Sequence, residues 1–222
     1  MNDLIKNKIQ KIVNVFESGK PEGDYGCISL YEDGPNGIKQ ITYGKSQTTE
    51  WGNLASLIKL YIAHEGEFAE NFEPYVNNIG FKSFVSDKDF IHLLKRASED
   101  PIMRKTQDEF FDVHYWGPAL NWFNKNEFKL NLSMLVIYDS FIHSGSILKF
   151  LRNKFDESVP VNGGNEKKWI LEYVKARHQW LKNHSVKILN KTIYRTQDFQ
   201  NAISSENWDL SKEFVANGTK IS

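Results

Sequence analysis

The chain has 222 residues and a formal net charge of +0, a balance that argues against a phosphate-rich main partner such as nucleic acid. Hydrophobic residues make up 40% and aromatics 14%, which argues against disorder and suits one large domain or a two-lobed one. Cys27 is the single cysteine, so an intrachain disulfide and a cysteine-based zinc site are both excluded.

Ile5, Ile9, Ile12, Val13 and Phe16 recur at three- and four-residue spacing, which predicts an N-terminal helix with one buried face. Glu17 follows directly, and Ser18-Gly19-Lys20-Pro21 stops the helix. A carboxylate at that junction is partly shielded from water, and shielding favours its neutral form, as a general acid requires. The plainer alternative is a solvated helix-end glutamate. Next, Cys27 to Tyr31 alternates like a strand, Glu32 to Gly37 is turn-rich, and Ile38 to Gly44 reads as the returning strand. The sum is a β-hairpin with acidic residues at its turn.

From Trp51 the pattern turns helical, with Leu54, Leu57, Ile58 and Tyr61 in one stripe. Phe90, Leu93 and Leu94 begin another helix, and residues 106–123 are expected to hold a third. Residues 130–142 are apolar nearly all round, which predicts a helix at the centre of a domain. Gly163-Gly164-Asn165 opens a helix carrying Trp169, Tyr173, Arg177 and Trp180. Beyond Lys187 the tail reads as turns and a short helix. The start Met1-Asn2-Asp3-Leu4 lacks the pattern of a signal peptide, which leaves a cytoplasmic protein, another export route or a trimmed chain. No apolar run approaches the ~20 residues of a membrane span. The excess of aromatics is expected to be core, with stacking platforms for sugar rings as the alternative.

Two constellations can carry chemistry. The first is Glu17 with an acid of the hairpin region: Glu22, Asp24, Glu32 or Asp33. Hydrolysis of a glycosidic bond uses two carboxylates, one protonating the leaving oxygen and one activating water or attacking the sugar. The second is Asp139 inside the most apolar helix, where a lone carboxylate is costly unless paired. Arg177 and Arg195 are the expected partners in a buried Arg–Asp–Arg network. Simple structural pairing is one reading of it, and polarisation of a nearby catalytic carboxylate is the other. The six histidines show no metal-ligand spacing, and no Gly-x-Ser-x-Gly elbow appears. His143, before Ser144-Gly145, either lines a cleft or caps and packs the central helix.

These residues together resemble the family 46 glycoside hydrolases, the bacterial chitosanases of the lysozyme-like superfamily. The match lies in Leu135-Val136-Ile137-Tyr138-Asp139-Ser140-Phe141-Ile142-His143-Ser144-Gly145, in Gly163-Gly164-Asn165-Glu166, in Tyr173-Val174-Lys175-Ala176-Arg177, in Arg195-Thr196-Gln197-Asp198 and in Asn207-Trp208-Asp209-Leu210. The resemblance implies a mainly α (α+β) fold over residues 1–222: one lysozyme-like catalytic domain of two lobes, with a small β-hairpin near the N-terminus and a cleft between the lobes. It places the general acid on Glu17 and a buried charge network on Asp139, Arg177 and Arg195. It implies inverting hydrolysis of β-1,4 bonds, for which the carboxyls stand roughly 6.5–9.5 Å apart.

The family's Gly-Asp-Gly turn, which carries its base, is altered here: the ungapped position is Asn36, and the nearest acid is Asp33. A small gap gives Asp33 the role of base and Thr42 that of holding the water. Asp33 is preferred to Glu32 because a strand alternates its faces and Asp33 lies closest to the turn. Where the family reads a cationic amino sugar with an acid after the glycine of its second helix, this chain has Asn53 after Gly52, and Glu50 is the acid that stands in. Tyr43 and His143 complete the expected substrate contacts. Chitosan is the first expected polymer. Peptidoglycan is the second, because Ile41-Thr42-Tyr43-Gly44 is also similar to the hairpin of phage-type lysozymes. A muramidase, lysin or antibacterial effector and a non-catalytic carbohydrate-binding protein are the alternatives. No metal or organic cofactor, no nucleic acid, no membrane and a monomer are expected.

Overall fold

The computed structural model describes residues 2–45 and 47–222; Met1 and Ser46 lie outside them. The protein is mainly helical, with a three-stranded antiparallel sheet near the N-terminus and a two-stranded one at the C-terminus. The chain divides into two compact units: one runs up to Gly23 and resumes as Tyr115–Ser222, and the other is Asp24–His114.

Helix α1, Asp3–Ser18, opens the first unit. Its start is fixed by Asn2, whose side-chain oxygen accepts from the Ile5 N–H at 3.0 Å. Its end is fixed by Gly19, whose φ of 74° is the left-handed conformation that a side chain disfavours. The buried stripe Ile9, Ile12, Val13 and Phe16 faces the core. Phe16 packs against the rings of Tyr194, Phe199 and Phe214. Burying a side chain of that size stabilises by roughly 1.5–3 kcal/mol.

The second unit begins with strands β1, Ile28–Tyr31, β2, Gln40–Tyr43, and β3, Thr48–Thr49. In the β1–β2 hairpin Ile28 faces Tyr43, Ser29 faces Thr42, Leu30 faces Ile41 and Tyr31 faces Gln40. Helices α2, Leu54–Ala63, α3, Ala69–Val76, α4, Lys88–Ala97, and α5, Pro101–Phe111, follow. Their core joins Ile41 and Tyr43 of the sheet to Leu57, Tyr61, Phe72, Phe84, Phe90 and Leu94. Most of the aromatic excess lies in such clusters; Trp169, for example, is fully buried against Trp122, Phe128, Phe155 and Tyr173.

The single helix expected over residues 106–123 is divided. Helix α5 gives way to a π turn at Asp112–Trp116, and α6 covers Gly117–Lys125. Pro118 near the head of α6 explains the break, because proline has no N–H for a continuing helical ladder. Then α7, Asn131–Ser144, keeps every residue from Leu132 to Ser140 buried. It packs on α1, α6 and α9, Glu166–Lys182. The short α8, Lys149–Arg152, lies between α7 and α9 in sequence. Helices α10, Lys187–Asn190, and α11, Tyr194–Ser204, precede strands β4, Phe214–Ala216, and β5, Thr219–Ile221. The tail therefore ends in a hairpin, which the sequence reading missed. No described helix is long and apolar enough to cross a membrane.

Candidate active site

Glu17 sits in the last turn of α1, and its side chain is 21% exposed. Arg195, from the first turn of α11, donates through Nη2 to Glu17 Oε1 at 2.5 Å and to the Phe16 carbonyl at 3.1 Å. Tyr194 donates to the same carbonyl at 2.7 Å. The C-terminal turn of α1 is thus clamped by two neighbouring side chains of α11, and the carboxyl of Glu17 has a fixed direction. Arg195 Nη1 in turn reaches Asp139 Oδ1 at 2.6 Å, and Arg177 Nη1 reaches Asp139 Oδ2 at 2.5 Å.

The result is an alternating chain of charge, Glu17–Arg195–Asp139–Arg177, carried by α1, α11, α7 and α9. Asp139 and Arg177 are 0% exposed and Arg195 is 3% exposed. Burial by itself pushes the Asp139 carboxyl up, but the charges of Arg177 and Arg195 hold it below the usual aspartate range. Burial works against the Arg195 cation, and the charges of Glu17 and Asp139 more than offset it. Two opposite charges flank each inner member, so none is left unpaired inside the unit.

His143 lies one helical turn after Asp139 on α7 and is half-buried, with Nδ1 3.4 Å from the Ser144 hydroxyl. Burial, then Arg177 and Arg195, push its imidazole down to about 3, against the opposing pull of Asp139. It is therefore neutral across the working range of most enzymes. The sign of the effect on stability follows. Between pH 6.5 and about 3 the unfolded chain binds a proton at this position and the folded chain does not. Stability is complete above pH 6.5 and falls as the pH drops, by about 2 kcal/mol at pH 5 from this group alone. Urea midpoints measured at pH 7, 6 and 5 should fall more steeply for the wild type than for His143→Gln.

In the other unit the hairpin supplies the second set. Asp33 is exposed in the connection between β1 and β2. Its Oδ1 accepts from the Gln40 Nε2 at 2.9 Å. Thr42 is 5% exposed on β2, and its hydroxyl has no hydrogen-bond partner among the described residues. Asn36 occupies the turn with φ 56°, a left-handed conformation that asparagine tolerates. Glu32 is exposed beside Asp33, and Asn53 is exposed at the head of α2 with no capping bond from its side chain.

Two expected substrate contacts are corrected by their burial. Glu50 is 0% exposed, and its oxygens accept from the Ile41 N–H at 3.0 Å and the Phe84 N–H at 2.5 Å. It ties the sheet to the segment before α4. Burial pushes its carboxyl up, against the pull of those two bonds. Tyr43 is also 0% exposed, and its hydroxyl donates to the Leu94 carbonyl at 2.9 Å. Sequence reasoning also missed Gln40, whose buried amide holds Asp33; an amide opening a strand carries no signal of that kind. Among the described residues, no group of three or more His, Cys, Asp or Glu side chains is placed to hold a metal ion.

The sequence profile of glycosyl hydrolase family 46 matches residues 11–214. A chitosanase of Bacillus subtilis (strain 168) is 25% identical over 197 residues, covering 82% of this chain and 69% of that protein. The crystal structure of a native chitosanase from Bacillus subtilis MY002 superposes with a TM-score of 0.85 at 20% identity, over all of both chains. A family GH46 chitosanase from Gynuella sunshinyii, solved with chitotetraose, gives 0.84 at 20% identity, over 100% of this chain and 98% of that one. With the profile spanning nearly its whole length, the chain belongs to glycosyl hydrolase family 46 and is a glycoside hydrolase.

Proposed function

We propose that this enzyme is an endo-acting chitosanase that cleaves β-1,4 bonds with inversion. The observation that carries the reading is the held carboxyl of Glu17: it is partly exposed, at the end of a helix, and paired with an arginine whose charge is shared with Asp139. A protonated Glu17 gives its proton to the glycosidic oxygen as the bond from that oxygen to the anomeric carbon breaks. Asp33 takes a proton from water, whose oxygen forms the new bond to that carbon from the opposite face. Thr42 orients the water, and its unpartnered hydroxyl supports this role. After release of the fragments Glu17 regains a proton from solvent and Asp33 loses one. Carboxylates handle the proton traffic, so the reading assigns no cofactor.

The substrate follows from the relatives, which are named as chitosanases, and from the exposed acids Glu32 and Asp33 on the hairpin, which suit a cationic polymer. Asn53 and His143 are assigned to contacts with the sugar. The purified enzyme should release soluble amino-sugar oligomers from chitosan, with an α-configured new reducing end visible by NMR, and none from peptidoglycan. Release from peptidoglycan alone would replace this reading with a muramidase. A β-configured product would replace inversion with retention.

A further inference from the structure

Asp33 is exposed, on a connection that spans residues 32–39, where a carboxylate is free to sample several rotamers. A base must instead keep one direction toward its water. The side chain that gives it one is Gln40, the first residue of β2, which is 4% exposed. Both ends of its amide are used. Gln40 Oε1 accepts from the Trp51 N–H at 3.1 Å, and Gln40 Nε2 donates to Asp33 Oδ1 at 2.9 Å.

The Trp51 bond decides which way the amide faces. A flipped amide would set its NH2 against the Trp51 N–H, donor against donor, so the oxygen must point to Trp51 and the nitrogen to Asp33. Gly34 closes the arrangement from the other side. A methyl group there would stand 2.6 Å from the Ile38 carbonyl oxygen and 3.1 Å from Cδ1 of Trp51. The Gly34 N–H also donates to that carbonyl at 2.9 Å. Asp33 is thus held between a backbone that fits only glycine after it and a buried amide with one permitted orientation.

We propose that Gln40 is the positioning residue of Asp33: it does not touch substrate, and it acts on turnover by fixing the direction of the base carboxylate. This rests on the assignment of Asp33 as base. The test is a cycle of variants on chitosan: wild type, Gln40→Glu, Asp33→Asn and the double variant. Gln40→Glu keeps the shape and the acceptor for the Trp51 N–H, but it turns a donor toward Asp33 into a second carboxylate. Its kcat should fall by about 10- to 100-fold, the scale of a misplaced catalytic group, with KM within about twofold of wild type. In the Asp33→Asn background the same change should cost no further activity. Gln40→Met, similar in size and uncharged, repeats the measurement should the added charge unfold the hairpin.

An equal loss in both backgrounds would show a purely structural role and overturn the proposal. So would wild-type kcat in Gln40→Glu and Gln40→Met alongside an inactive Asp33→Asn. Wild-type turnover by Asp33→Asn is a separate failure: it removes Asp33 as base, and the positioning role falls with it.

Discussion

Glu17→Gln should lower turnover on chitosan by about 10²- to 10⁴-fold, the usual contribution of a general acid, while the protein stays folded. The amide keeps the length of the side chain and an oxygen for the Arg195 Nη2, which now bonds Oε1 at 2.5 Å. It cannot give up a proton to an alkoxide that is leaving a sugar. Arg195 retains Asp139 as a partner at 2.6 Å, so the loss of one negative charge does not strand the cation. A second substrate separates loss of the proton from general damage. An oligomer with a nitrophenolate leaving group needs little protonation, so the variant should recover most of its rate there. Equal losses on both substrates would show that Glu17 positions the sugar instead of protonating it. Wild-type turnover on chitosan would remove it from the chemistry.

The position of Glu17 was legible because two local signals coincide there: a buried stripe that ends at Phe16, and Gly19, whose φ of 74° is needed to leave the helix. Asp139 was legible for a related reason. A carboxylate inside a helix that is apolar on every face must find cations, and the arginines of α9 and α11 are the cations the structure gives it. Glu50 was not legible. It stands between Thr49 and Trp51 and reads as a surface acid, yet its partners are backbone N–H groups at Ile41 and Phe84, one of them 34 residues away. Burial of that kind depends on how separate segments meet, and nothing local to residue 50 encodes it.

Gln40 and Tyr43 share that limit. Alternation places them on a strand but does not say that all four residues of β2 are covered. The C-terminal hairpin is different. Asn217-Gly218, at φ 44° and 83°, is a standard two-residue turn pair, and the flanking Phe214 and Ile221 are buried partners in register. That signal was present in the sequence and was outweighed by the polar composition around it.

Asp139→Asn should be the most destabilising single change in the charge network. The carboxylate is shared by two arginines, and all three groups lie within a few per cent of full burial. Burial opposes its charge, and the two guanidinium groups still hold it below the ordinary aspartate range, so it is ionised at neutral pH. An amide in its place leaves Arg177 without an anionic partner and Arg195 with Glu17 alone. Breaking a buried pair in this way costs about 3–5 kcal/mol. For a chain of this size each kcal/mol moves Tm by ~2–4 °C, so a fall on the order of 10 °C is expected in a thermal scan. Turnover should fall as well, because the guanidinium that fixes the Glu17 carboxyl would lose its second anchor. A milder outcome is expected for the double variant Asp139→Leu, Arg177→Met, which removes one anion and one cation together and leaves Arg195 with Glu17. Its Tm should lie above that of Asp139→Asn, because a stranded buried cation costs more than the net worth of the pair that held it. A Tm for Asp139→Asn within about 2 °C of wild type would mean that water solvates the two guanidinium groups in place of the lost carboxylate. The coupling from Arg177 through Asp139 and Arg195 to Glu17 would then carry no energy.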